Sequence, residues 1–324
     1  MLSDKVLAQL TARQGEFISG QALADALGVS RSAVWKAVGQ LTARGFGVEA
    51  VTNRGYRLTH TPDVISAERI TACLKNRALR VVYLPSVTST NAVLREMAEQ
   101  DAPAGTLVVA SHQTAGRGRR GRSFLSPAGT GVYFSLLLRP RGAAEQATRL
   151  TAYAAVAAAE AVEAVSGRSA GIKWVNDVLL DGKKVCGILT EGAAELEGGS
   201  LRWAVLGVGI NLCPPEGGFP DELAPIAGTL FDAQPDAGTV CRLVALFADR
   251  FTALARSDDA AGALKAYRSR CVTVGRPVTV LSPAGDYDAL AEAVDDDFRL
   301  IVRTTDGQRA ALSSGEVSVR PSKT

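Results

Sequence analysis

The sequence predicts a multidomain α/β protein: an N-terminal winged helix-turn-helix, a central mixed α/β domain and a small C-terminal β domain. Three observations predict it. Residues 1–62 read as three short helices and a hairpin. Beyond Pro62 strand-like runs alternate with helical ones, and from about Gly275 only short strands with turn signals remain. The boundaries drawn are 1–62, 63–271 and 272–324. A chain of 324 residues has room for two or three domains of about 100–200 residues each. With 47% hydrophobic residues it has the means to build their cores.

In the N-terminal segment the first helix is expected over about residues 3–13, with Val6, Leu7 and Leu10 at helical spacing. A second covers Gln21–Leu27. Gly28-Val29-Ser30 is a tight turn, and Ser30 is a good N-cap for a third helix, whose Val34, Val38 and Leu41 face inward. That leaves Arg31, Ser32, Trp35 and Lys36 near its exposed N-terminal end. A helix, a glycine turn and a helix that starts polar and basic form the arrangement whose second helix enters the DNA major groove. Val48–Leu58 reads as strand, turn, strand: a wing that offers Arg54 and Arg57 to phosphates. Residues 1–60 carry seven basic residues against four acids, an excess equal to the +3 of the whole chain. The candidate DNA-binding residues are therefore Arg31, Ser32, Lys36, Arg54 and Arg57. A winged helix used for protein contact is the alternative at this point.

In the central segment strands are expected at Arg80–Leu84, Thr106–Ala110, Val132–Leu138, Val178–Leu180, Val185–Leu189 and Trp203–Leu206. Helices are expected at Asn91–Gln100 and Ala152–Val165, and Asp181-Gly182 marks a hairpin. The C-terminal strands are Pro277–Leu281, Ala289–Val294, Leu300–Thr304 and Glu316–Arg320.

Four central segments are more polar or glycine-rich than their places require. Ser89-Thr90-Asn91 opens a helix, where a plain cap would serve as well. His112–Arg122 follows a strand and sets Gly116, Gly118 and Gly121 among Arg117, Arg119, Arg120 and Arg122. Glycines let such a loop close over a ligand, and guanidinium forks bind carboxylate or phosphate bidentately. A solvated basic loop or an RGG-like segment has the same composition, but a place between two strands of a folded domain weakens the latter. Gly171–Asp177, with Lys183-Lys184 on the returning strand, offers lysines to neutralise phosphate charge and Asn176 or Asp177 to help hold magnesium. Gly207-Val208-Gly209-Ile210-Asn211 would permit close approach of a ligand. No Walker A pattern is present, so any ATP is bound in another manner.

Composition narrows the class further. Five scattered cysteines with no C-x-x-C spacing suit reduced thiols in a cytoplasmic protein. His60 and His112 are the only histidines, which disfavours a histidine metal site or a Ser-His-Asp triad. No apolar run reaches the roughly 18–20 residues of a membrane span, and the acidic start is wrong for a signal peptide.

Together the four segments resemble the biotin–protein ligases, in their bifunctional ligase/repressor form. Gly116–Arg122 matches the family's GRGRRGR at every position. Ser89-Thr90-Asn91, Gln113, KW-x-ND and G-x-G-I-N follow in the family's order. The resemblance implies a biotin/lipoate-ligase-type central domain and an SH3-like C-terminal barrel. It implies that Ser89, Thr90, Asn91 and Gln113 hold the biotin ring system and that Arg117, Gly118 and Arg119 cover biotin and its adenylate. Lys184 would contact the biotin carboxylate and α-phosphate, with Gly207 and Gly209 backing the pocket. Asn176 and Asp177 would lie near the ATP phosphates, with Arg119, Arg122 and Asn211 on the nucleotide; Lys184 and Arg119 are the catalytic pair.

Biotin and ATP are the implied substrates, with Mg2+ near Asp177. The implied partners are the biotin carboxyl carrier protein, operator DNA of the biotin genes, and a second copy of the chain when adenylate is bound. Two departures stand out: Val175 where the family has proline, and Phe124 where tryptophan is common. A repressor with decayed ligase activity, a lipoate ligase, and a ligase whose winged helix no longer binds DNA are the competing readings.

Overall fold

The computed structural model describes residues 2–13, 15–60, 63–139, 146–194, 201–257, 260–282, 285–313 and 318–321, without the side chains of 146, 147, 194 and 318–321. The chain forms two compact units, Met1–Val64 and Ile65–Thr324.

The first unit contains helices α1 (Leu2–Ala12), α2 (Gly20–Leu27) and α3 (Arg31–Ala43) and the hairpin β1 (Gly47–Val51) and β2 (Gly55–His60). Ser19 and Ser30 cap α2 and α3, accepting from Ala22 N (3.0 Å) and Ala33 N (3.2 Å). Gly28 ends α2 in the left-handed conformation at φ 64°. Val6, Leu10, Leu23, Val34, Val38, Leu41 and Leu58 share one core. Gly55 is required at the wing: φ is +102°, and a Cβ there would sit 2.1 Å from Ile18 O. The wing is thereby drawn against Phe17 and Ile18.

The second unit continues with α4 (Ala67–Cys73), β3 (Arg80–Tyr83), β4 (Ser86–Val87), α5 (Thr90–Glu99), β5 (Thr106–Ala110), β6 (His112–Gln113) and β7 (Gly131–Leu138). Then come α6 (Gln146–Ser166), β8 (Gly171–Lys173), β9 (Asp177–Leu180), β10 (Lys183–Ala194), β11 (Leu201–Asn211), α7 (Ala237–Arg256) and α8 (Ala260–Arg270). A seven-stranded sheet runs β3-β5-β7-β11-β10-β9-β8, with only β3 and β5 parallel among its pairs. α5 covers one face through Leu94 and Ala98, packed with Val108, Leu137, Trp203 and Val205. The larger apolar cluster on α6 and α7 joins Phe134, Val178, Leu206 and Val208 of the sheet.

The C-terminal strands β12 (Pro277–Leu281), β13 (Tyr287–Val294), β14 (Leu300–Thr304), β15 (Arg309–Leu312) and β16 (Ser318–Pro321) form an antiparallel sheet, β15-β14-β13-β12-β16, of the SH3-like kind. Its Phe298 ring meets Tyr153 of α6 and Tyr267 of α8 edge-on, at 5.7 and 5.5 Å between centroids. One core therefore runs through both parts of this unit. The last predicted strand, Glu316–Arg320, lies partly outside the described residues.

Candidate active site

A cavity opens where the start of α5, the arginine loop and the middle of β10 and β11 meet. Its lining includes Ser89, Thr90, Asn91, Gln113, Arg117, Gly118, Arg119, Phe124, Asn176, Lys184, Gly187, Gly207 and Gly209.

The floor is made by glycines. Gly187 of β10 and Gly209 of β11 are direct register partners, and Gly207 stands opposite Leu189 and Ser135. A Cβ on Gly209 would lie 2.6 Å from the Phe124 ring, and one on Gly207 would lie 2.1 Å from Asn91 Oδ1. The missing side chains let an aromatic ring lie flat on one part of the sheet and an amide on the next. Phe124 packs edge-on against Tyr133, at 6.3 Å.

At one end the polar groups are tied to each other. Ser135 donates to Asn91 Oδ1 (2.6 Å) and is hydrogen-bonded to Thr90 Oγ1 (2.8 Å). Asn91 donates to Glu191 (2.7 Å), while Gln113 accepts from Thr90 N (2.8 Å) and donates to Ser126 (3.1 Å). Ser89 holds the N-cap position of α5 without a side-chain cap bond, so a plain cap does not account for it. Buried polar groups locked in this way present a fixed pattern to a ligand.

The other end is cationic. The β9–β10 pairing shifts register between Lys184 and Cys186, so Val185 and Cys186 are both buried while Lys184 lies over Gly187. Bulges of this kind re-aim a side chain beside a site. Lys184 Nζ stands 2.6 Å from Asp177 Oδ1 and 5.8 Å from the Phe124 ring centre. That oxygen is buried and accepts no hydrogen bond of good geometry, so the ion pair is its contact.

Arg119 donates to Asn176 Oδ1 (3.1 Å), and Asn176 donates onward to Ile188 O (2.9 Å). Burial pulls the Arg119 guanidinium below its ordinary pKa, Asp177 opposes this, and Arg120 and Arg122 add to it. A bound anion would relieve that cost. The loop itself is a tight closed turn, with Gly118 N donating to Arg122 O (2.6 Å) and Phe124 N to Gly116 O (2.9 Å). Arg120 donates to Leu281 O (2.8 Å), which ties the loop to β12. An apolar floor between a hydrogen-bonded polar end and a cationic end suits a small amphiphilic acid and its acyl phosphate.

Residues 83–211 match the biotin/lipoate A/B protein ligase family, residues 3–57 an HTH domain, and residues 273–320 the biotin protein ligase C-terminal domain. The bifunctional ligase/repressor BirA of Bacillus subtilis is 37% identical over 317 residues, 96% of this chain and 97% of its own. The chain belongs to the bifunctional biotin ligase/repressor family. The biotin--[acetyl-CoA-carboxylase] ligase of Mycobacterium tuberculosis is 34% identical over 250 residues, 74% of this chain and 88% of that protein. The biotin protein ligase of Aquifex aeolicus in complex with biotin and ATP superposes with a TM-score of 0.61 at 27% identity, over 75% of this chain and 99% of that one.

In this ligase/repressor most of the residues singled out in the sequence line one cavity. Asp177 adjoins it through Lys184. Arg122 lines a neighbouring cavity with Ser123 and Leu223, and Asn211 donates to Gly228 O (3.0 Å) farther along β11. The sequence does not single out Ser135, Gly187, Glu191 or Ser126; cross-strand register brings in the first three, and a hydrogen bond from Gln113 brings in Ser126.

At Val175 no chemical group is missing from the turn. Trp174 is held by Thr273 Oγ1 and Phe298 O, and Val175 O accepts from Tyr267. In the N-terminal unit Arg31, Ser32 and Lys36 lie exposed on α3. Arg54 and Arg57 stack on Phe17 at 4.2 and 4.6 Å, and Arg57 is also bound to Glu49. The side chain of Arg320 is outside the described residues.

Proposed function

We propose that this chain activates biotin with ATP and passes it to a lysine of the biotin carboxyl carrier protein of acetyl-CoA carboxylase. We further propose that it represses biotin-synthesis genes with the adenylate as corepressor. The observation that carries the reading is the single cavity with a locked polar end, a glycine–Phe124 floor and the Lys184–Arg119 cationic end.

A biotin carboxylate oxygen attacks the α-phosphorus of ATP, and the bond to the bridging oxygen breaks, giving biotinyl-5′-AMP and pyrophosphate. The carrier lysine amine then attacks the acyl carbon, loses a proton and releases AMP. Ser89, Thr90, Asn91 and Gln113 orient the ring system. Lys184 stabilises charge on the carboxylate and α-phosphate, and Arg117, Gly118 and Arg119 cover the adenylate. Asn176, Arg122 and Asn211 are assigned to the nucleotide.

A magnesium ion bound beside the nucleotide would neutralise phosphate charge. Among the described residues no cluster of three metal-ligating side chains exists. Asp177 would be the carboxylate that holds the ion; its buried Oδ1 accepts no hydrogen bond of good geometry and is paired with Lys184 Nζ at 2.6 Å.

The winged helix is assigned to operator DNA through Arg31, Ser32, Lys36, Arg54 and Arg57. A homodimer formed with adenylate bound matches a two-fold operator. The cytoplasm, where substrate, carrier and operator meet, is the proposed location.

The test is biotin-dependent pyrophosphate exchange and labelling of a purified carrier domain, with lipoate as the competing acid. Adenylation of lipoate in preference to biotin overturns the ligase assignment. A gel shift on the region upstream of the biotin genes, with and without biotin and ATP, tests repression.

A further inference from the structure

Two residues on the outer face of α3 do nothing for the N-terminal core. Trp35 is 68% exposed, more than any other large apolar side chain among the described residues. One turn further along, Gly39 is exposed, and a Cβ built on it would meet nothing within 4 Å. The inward face is supplied by Val34, Ala37, Val38 and Leu41.

Glycine is a poor helix former, and open space around Gly39 means that no neighbour in the domain demands it. Residues four apart share a helix face, so the indole stands as a ridge beside a bare stretch of backbone. The helix's own charge is of one sign: α3 carries Arg31 and Lys36 and no acid. Arg31 sits in the first turn, where the helix end favours anions over cations, so its placement suits an anion from outside.

We propose that Trp35 and Gly39 form an apolar base-reading surface on this helix. The indole packs on thymine C5-methyl groups in the major groove, and the bare backbone at Gly39 lets the groove edge come close. The inference rests on the operator-binding reading of the N-terminal domain and names what is read there. The basic rim selects DNA as the occupant, and the thymine methyl is the apolar group that base edges present in the major groove.

The full chain, with biotin and Mg-ATP, is used to select sites from a randomised duplex pool. Each thymine of the selected site is then replaced by deoxyuridine, which removes only the methyl group. Wild type should lose about 4-fold in affinity per contacted methyl. Trp35→Ala should bind thymine and uracil duplexes equally, with the same salt dependence and an unchanged unfolding temperature. Gly39→Leu should weaken all duplexes while its unfolding temperature holds or rises.

Uracil substitutions without effect on wild type, or with equal effect on Trp35→Ala, overturn the proposal while leaving DNA binding intact. So does a Trp35→Ala protein that loses self-association but not thymine discrimination. Failure of wild type to select any sequence overturns the operator reading and this inference with it.

Discussion

Replacing Gly207 by alanine puts a methyl group where Asn91 lies. The added carbon would stand 2.1 Å from Asn91 Oδ1, well inside the 3.0 Å that side-chain carbons keep, so the amide must turn away. Asn91 is 4% exposed and bound to Ser135 and Glu191, the second through a charged acceptor. Losing one neutral bond and one charge-assisted bond costs about 2–4 kcal/mol of stability. A domain of ordinary stability survives that loss. If Asn91 orients biotin as proposed, the hydrogen bonds it makes there are lost too, and biotin affinity should fall about 10- to 100-fold. The assay is pyrophosphate exchange against biotin concentration, beside thermal unfolding. Val205→Ala is the control: it lies on the same strand and face and costs about 2 kcal/mol of apolar burial while adding no atom beside Asn91. Wild-type biotin affinity in Gly207→Ala, or equal weakening in Val205→Ala, would refute the reasoning.

Lys184→Ala should slow adenylate formation by about 100-fold or more, since it removes the cation assigned to the α-phosphate and leaves Asp177 buried without its partner. Near-normal single-turnover adenylation by that variant would sink the assignment. Arg119→Gly should loosen the cover, so that adenylate escapes and labels bystander lysines; mass spectrometry finding biotin only on the carrier domain would count against it. Glu163 links α6 to α8 through Arg270, at 2.9 and 3.3 Å. Burial alone would raise its carboxyl pKa, but hydrogen bonds from Arg270 and Ala170 N, and the Arg270 charge, hold it below 4.5. Its contribution is therefore present above about pH 5 and lost as pH falls through the folded value. Glu163→Gln should be less stable by about 1 kcal/mol at neutral pH, and the gap should close under acid in urea titrations.

The parts of the fold legible in the sequence are those whose signal is local. Ser30 announces the start of α3, and the apolar spacing of Val34, Val38 and Leu41 names its inward face, as the cap bond and core confirm. Strand β5 ends where its apolar run ends. Longer-range features were less legible. The strand expected over Val185–Leu189 extends as β10 from Lys183 to Ala194, and that expected over Trp203–Leu206 extends as β11 from Leu201 to Asn211. Glycine and alanine dilute the alternation there, and pairing supplies what propensity does not. The expected elements include neither α7 nor α8, although Val240, Val244, Phe247 and Phe251 of α7 follow a helical stripe.

The site divides the same way. The arginine loop was legible because its composition is unusual anywhere, yet composition left it equally fit for nucleic acid. The geometry favours a small ligand: the loop closes on itself and turns Arg119 inward to Asn176, while Arg117, Arg120 and Arg122 stay exposed. Glu191 carried no signal at all, since an acid on a strand is ordinary until Asn91 and Arg117 are found beside it. The glycines are expected from the sequence to permit close approach of a ligand, and the structure adds that two of the protein's own side chains approach them first. Gly207 and Gly209 sit inside β11, paired on both sides, where glycine weakens a strand unless something must approach it closely. Asn91 and Phe124 are what approach. The missing side chains are therefore the means by which a flat sheet acquires depth, and a side chain added at Gly207 disturbs the Asn91 network and the ligand assigned to it together.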